Sequence, residues 1–193
     1  TKAITLKPDF AKAYQLRGSL LLESDEPSAA LEDFNAVLKY THGSGFLFAS
    51  RGEALRLLGR YSEAIADFDE SIRRDSSVYL PYLWRGFAHQ SADNRPGAAA
   101  DVTRVVCLEP ERVTGYFHRG SCRRKMDRLP EAIHDLSKCL ELDPEYLPAL
   151  SERGIAYGLM EDRPNAIQDF TRLLEQHESG YIFNLRAMQH YFS

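Results

Sequence analysis

Apolar residues along this chain recur at spacings of three and four, and no stretch alternates them strictly with polar ones. In residues 113–146 a first run carries Tyr116, Phe117 and Gly120, and a second carries Ile133, Leu136, Cys139, Leu140 and Leu142. Both are helical patterns. Moved by one period in either direction, this stretch falls on a copy of itself. Arg-Gly stands at 17–18, 51–52, 85–86, 119–120 and 153–154, Ala at 30, 64, 98, 132 and 166, and Asp at 33, 67, 101, 135 and 169. Three columns in phase five times define a repeat protein with a 34-residue period. The pattern predicts helix pairs at 11–24 with 28–40, 45–58 with 62–74, 79–92 with 96–108, 113–126 with 130–142, and 147–160 with 164–176, then a further helix from 181. Pro96, Pro130 and Pro164 sit where second helices start, since a first-turn proline loses no hydrogen bond and presets φ. Pro8, Pro110 and Pro144 follow second-helix ends and stop them.

A unit of this length cannot bury a core alone, so neighbouring units must share one. The expected architecture is all-α, an α-solenoid of stacked antiparallel helix pairs, with units at 11–44, 45–78, 79–112, 113–146 and 147–180. Ala-Ile-Thr-Leu-Lys-Pro at 3–8 matches Cys-Leu-Glu-Leu-Asp-Pro at 139–144, so residues 1–8 read as the end of a truncated unit. Residues 181–193 read as the first helix of another, which makes 1–193 a single array cut from a longer chain. Thr41-His42-Gly43-Ser44-Gly45, with two glycines, is the expected loosest joint.

The columns resemble a known family. Tyr14, Phe48, Tyr82 and Tyr116 form an aromatic column ahead of the glycines. Ala follows early in the second helix, with Phe34, Phe68 and Phe170 after it, and Pro closes the unit. This is similar to the tetratricopeptide repeat, in the subtype marked by Arg-Gly, over essentially the whole chain. Val102 and Leu136 depart from the Phe column, Leu150 from the aromatic column, and His42, Ser76 and Glu178 from the closing Pro. The resemblance implies a right-handed superhelix whose first helices line a concave groove for a partner segment. It specifies fold strongly and function weakly.

Size explains the columns. Glycine inside a helix costs about 1 kcal/mol relative to Ala, so its recurrence needs a steric reason. Gly and Ala let two helices approach, and the aromatics fill the wedge between units. The charged columns, Arg17, Arg51, Arg85, Arg119 and Arg153 with Asp33, Asp67, Asp101, Asp135 and Asp169, admit two readings: exposed guanidinium groups for an acidic ligand, or structural ion pairs. Identical repetition in every unit favours the second, because a buried Arg needs a partner and its fork suits a carboxylate. Each Asp lies nearly midway between the Arg of its own unit and the Arg of the next, so either is in reach.

The net charge of −4 is mild and argues against nucleic acid or an anionic membrane as partner. No apolar run approaches the roughly 18 residues of a membrane span. Cys107, Cys122 and Cys139 read as buried thiols in a reducing, cytoplasmic compartment. His118 and Cys122, four apart, with Cys139 on the partner helix, lack the further ligands that metal binding or nucleophilic catalysis needs. Gly43-Ser44-Gly45 lacks the Lys-Ser/Thr ending of a phosphate loop. The expectation is therefore a protein that is not an enzyme and needs no cofactor.

Carried over by register, the family's groove positions are Phe46, Glu53 and Arg56, then Leu80, Leu83 and Phe87, then Phe117, Ser121, Arg124 and Lys125, and finally Ile155. Leu80, Leu83, Phe87 and Phe117 would form an apolar centre, unless Leu83 and Phe87 pack against adjacent first helices instead. The basic run Arg119, Arg123, Arg124, Lys125 and Arg128 is either a solvated face or a dock for acidic residues. The combined expectation is a protein–protein interaction scaffold that takes apolar anchors with acidic flanks. The alternatives are a regulatory or targeting arm for an enzyme elsewhere in the parent chain, a spacer in a large assembly, and self-association through cut ends. In the family, capture of a chaperone C-terminal carboxylate uses Lys, Asn and Arg in groove columns. Here those columns hold Gln15/Ser19, Ala49/Glu53, Leu83/Phe87, Phe117/Ser121 and Ser151/Ile155, which argues against it.

Overall fold

The structure, a computed structural model, describes residues 8–176, with side chains described for 10–175. It holds ten α-helices and no strand among the described residues. They are α1 (Pro8–Glu23), α2 (Pro27–Leu38), α3 (Gly45–Leu57), α4 (Tyr61–Arg74), α5 (Tyr79–Ser91), α6 (Arg95–Leu108), α7 (Val113–Lys125), α8 (Leu129–Leu142), α9 (Leu147–Leu159) and α10 (Arg163–Gln176). The truncated unit expected at 1–8 and the helix expected from 181 lie outside the described residues, apart from Pro8, which opens α1.

The chain divides after Leu108 into two compact units. In the first, α1 to α6 pack in sequence order, and α1, α3 and α5 also touch one another in turn. In the second, α7 to α10 pack in order and α7 touches α9. The helices of a pair are antiparallel. Arg119 on α7 bonds Asp135 on α8, and one turn later Arg123 reaches back to the carbonyl of Glu131.

The glycine column is a set of notches. A Cβ on Gly18, Gly52 or Gly154 would stand 2.6–2.8 Å from the ring of Phe34, Phe68 or Phe170 on the second helix of the same pair. At Gly120 it would meet Leu136 Cγ at 2.8 Å, whereas at Gly86 the nearest atom is Val102 Cγ2 at 3.3 Å. The residues that fill the notches, and the column Ala30, Ala64, Ala98, Ala132 and Ala166, are essentially inaccessible to water. Burying one large apolar side chain is worth about 1.5–3 kcal/mol, so these contacts carry much of the stability.

Every turn inside a pair ends its first helix in the same way. Asp25, Gly59, Asp93, Asp127 and Glu161 all have positive φ, between 55° and 74°. The next residue donates its N–H to the carbonyl five positions back, as in Arg60 to Leu55 and Asp162 to Tyr157, both at 2.9 Å. This bond closes orphan carbonyls at the helix end and suits glycine. Only one of the five positions holds it, so the periodicity of the turn was invisible as a glycine column.

The joint at 41–45 is held by a set of local hydrogen bonds. Thr41 Oγ1 donates to the Val37 carbonyl and accepts from Gly43 N–H, and Ser44 caps α3 by accepting from Leu47 N–H at 3.1 Å. Arg74 donates to the carbonyls of His42 and Gly43 at 2.9 and 2.7 Å. Gly43 has φ of +65°, and a Cβ there would meet Leu38 Cδ2 at 2.5 Å, so glycine is needed twice over. Of the three thiols expected to be buried, Cys122 and Cys139 are, but Cys107 is exposed. Burial pushes the Cys139 thiol up to about 12, so it stays protonated.

Candidate functional site

Each arginine of the charged column grips the aspartate of its own unit. Nε and Nη2 of Arg17, Arg51, Arg85, Arg119 and Arg153 fork onto Asp33, Asp67, Asp101, Asp135 and Asp169 at 2.5–2.9 Å. The remaining nitrogen, Nη1, turns the other way. It reaches Asn35 from Arg51 at 3.1 Å, Ser137 from Arg153 at 2.9 Å, and Asp69 from Arg85, each on the second helix of the preceding repeat. One guanidinium thus ties its own pair together and staples it to the repeat before. Arginine provides this because its donors point in two directions from one plane.

The guanidinium of Arg17, Arg51, Arg85 or Arg119 also lies over the aromatic ring three residues earlier, at 5.0–5.7 Å. Leu150 breaks that column, and Arg153 instead lies over Tyr157 at 5.9 Å. The columns are therefore filled by internal partners.

One open apolar surface of the first unit lies on the face made by α1, α3 and α5, with the end of α4 at its edge. Phe46, in the first turn of α3, is 59% exposed. It lines two adjoining depressions. One, of about 290 Å³, has Ala49, Val78, Leu80, Pro81 and Trp84 in its walls, with Arg74 and Asp75 at its edge. The other, of about 280 Å³, is walled by Leu22, Leu57 and Trp84, with Glu23 and Glu53 as its charged groups. Trp84 belongs to both. Its ring stands 6.2 Å from that of Phe68 in the core, which fixes one edge.

The expected groove residues fare unequally. Phe46 and Leu80 line this surface. Leu83 is buried with Tyr82 and Val105, and Phe87 packs beside them under the guanidinium of Arg56 at 5.8 Å, so neither forms an open centre. Glu53 and Arg56 bond each other at 2.7 Å. In the second unit Ser121 is buried, Phe117 packs on Tyr146 at 5.3 Å, and Ile155 leans on the same core. Lys125 is exposed. Arg124 forks onto Glu152, Arg123 bonds Asp135, and Arg128 bonds Glu131, so most of the basic run is neutralised from within. Trp84, which matters most to the surface, is absent from the expected set. Its register belongs to a column also occupied by Leu16, Ser50, His118 and Glu152, which offers no periodic signal.

Among the described residues no cluster of three or more His, Cys, Asp or Glu side chains could hold a metal, and no helix is long and apolar enough to cross a membrane. Burial, aided by the charge of Lys125, pushes His118 down to about 4, so it is neutral at physiological pH.

A tetratricopeptide repeat model matches residues 16–78, and another matches 113–146. The chain belongs to the tetratricopeptide repeat family. Over 75 residues it is 37% identical to the TPR repeat-containing thioredoxin TDX of Arabidopsis thaliana, a match covering 39% of this chain and 20% of that protein. Over 91 residues it is 32% identical to the mitochondrial import receptor subunit TOM70 of Homo sapiens, covering 45% of this chain and 15% of that one. The matches thus span a fifth or less of these relatives. Among solved structures, YrrB, described as a TPR protein with an unusual peptide-binding site, superposes with a TM-score of 0.79 at 20% identity, over 94% of this chain and 93% of that one. A tetratricopeptide repeat protein from Parabacteroides merdae gives 0.83 at 14% identity, over 95% and 73%. At such identities the likeness shows the TPR fold alone. TPR proteins are protein-interaction scaffolds.

Proposed function

We propose that this TPR array is a noncatalytic scaffold that holds a segment of a partner protein on the α1–α3–α5 face of its first unit. The observation that carries the reading is Phe46, a large aromatic exposed between two apolar depressions that share it with Trp84. An exposed apolar centre with a polar rim is the usual build of a binding hot spot. YrrB, of the same fold, is described as having a peptide-binding site. The acidic flanks expected from the basic run lose their support, because Arg123, Arg124 and Arg128 already hold carboxylates of this chain. Chaperone-tail capture remains disfavoured, because the columns the family uses for it, from Gln15/Ser19 to Ser151/Ile155, hold no cation. Free thiols suit a reducing, cytoplasmic setting.

The test is Phe46→Glu in the parent protein, with Leu159→Glu as a control at an exposed leucine of the second unit. Both variants should melt like the wild type. Proximity labelling should lose partners with the first and keep them with the second. Full retention with Phe46→Glu removes this face from the reading.

A second reading, a docking arm within a longer chain that carries an enzyme, is favoured by the likeness to a TPR repeat-containing thioredoxin. Sequencing the parent transcript decides it.

A further inference from the structure

The two depressions differ in charge, and that difference points to the kind of segment they fit. The Phe46–Val78–Leu80–Trp84 depression is mainly apolar, and the one cation at its edge is committed. Arg74 donates Nε to Glu70 and its other two nitrogens to the carbonyls of His42 and Gly43. The adjoining depression, between α1 and α3, has two charged residues in its walls, Glu23 and Glu53, and both are acids. Glu53 is balanced by Arg56. Glu23 is exposed at the end of α1, and no cation is bonded to it among the described residues. Asp75, at the far edge of the first depression, holds only the N–H and hydroxyl of Ser77. The balance around Phe46 is therefore negative, with aromatic rings beneath it.

We infer that the segment held on this face pairs an apolar anchor with a neighbouring lysine or arginine. The inference rests on reading this face as the partner-binding one. The anchor enters the depression walled by Val78, Leu80 and Trp84. The aliphatic stem of the basic residue lies along Phe46 and Leu57 and brings its charge to Glu23. A cation beside an aromatic face is attracted by the ring's negative centre, and an exposed carboxylate adds a comparable attraction. An acidic residue in the same place meets repulsion instead.

Trp84 is the single tryptophan of the chain, so its emission reports on both depressions. The probes are two capped heptapeptides, Ser-Lys-Ala-Lys-Phe-Leu-Ser and its twin with glutamate at both lysine positions. At low ionic strength the lysine peptide should shift Trp84 emission and saturate at about tenfold lower concentration than its twin. That advantage should shrink severalfold in about 0.5 M salt. Glu23→Gln, which breaks no bond in the fold, should reduce it about threefold without altering the circular dichroism. Equal saturation by the two peptides, or tighter binding of the glutamate twin, overturns the charge inference and leaves the apolar face standing. No emission change with either peptide at millimolar concentration, together with full partner retention by Phe46→Glu, overturns both.

Discussion

Gly120 and Leu136 touch so closely that a Cβ on the glycine would stand 2.8 Å from Leu136 Cγ. The branch point of a buried leucine cannot swing away as a flexible side-chain tip can. Gly120→Ala gains about 1 kcal/mol of helix propensity but incurs overpacking of about 1–3 kcal/mol, for a net loss of up to about 2 kcal/mol. Gly120→Leu should separate the pair more severely. Gly86 faces Val102 at 3.3 Å, so Gly86→Ala should be neutral or mildly stabilising. Urea unfolding of these variants checks the order.

Asp135 is fully buried and receives two arginines, Arg119 and Arg123. Asp33 holds Arg17 alone, and that arginine is 63% exposed. Asp135→Ala removes the buried carboxylate that two guanidinium groups share, which should cost about 3–5 kcal/mol. Asp33→Ala leaves its arginine in water, and the lost ion pair should count for no more than about 1 kcal/mol. Equal losses in denaturant melts would contradict this account of the column.

Glu161 holds a φ of +61°, and among the described residues no side-chain bond compensates it. A left-handed residue other than glycine is strained by about 1–2 kcal/mol, part of which glycine returns through its freer unfolded chain. Glu161→Gly should therefore stabilise the fold by about 0.5–1 kcal/mol, seen as a rise in Tm. Asp93→Gly should gain less, because Asp93 also pairs with Arg95.

His118 gives the pH dependence a definite sign. Its folded pKa lies near 4, below the ordinary 6.5, because burial disfavours the imidazolium. Between those values the unfolded chain binds more protons than the folded one, so stability falls as pH drops through 6.5 towards 4. The carboxylates that arginine holds below their usual range, Glu70 at about 2 and Glu63 and Glu131 less far, begin to lose their contribution only below about 4.5. A melt series between pH 6.5 and 4.5 should therefore slope in the wild type and flatten in His118→Gln.

The fold was legible because each repeat states the same local instructions again. The spacing of Tyr116, Gly120, Leu136 and Cys139 sets helix faces, and their recurrence from repeat to repeat sets the stacking. The candidate site was less legible. Phe46 and Leu80 follow from register, but Leu83 and Ser121, carried over in the same way from two other columns, are buried. Trp84 stands in a column of unlike residues, so nothing periodic marks it.

What the sequence determined by itself is the helix-pair architecture, the notch under each glycine and the supply of one arginine and one aspartate per repeat. Those depend on steric size and on separations that recur along one chain. Only the tertiary structure decided that each arginine takes the aspartate of its own repeat, while Arg51, Arg85 and Arg153 also staple the repeat behind. It also decided that the basic run of α7 is largely spent on internal carboxylates, and that Phe46 is left facing water. Exposure and pairing depend on which neighbours arrive from other helices, and on the directions in which their atoms point. A periodic string of residue types does not carry that information.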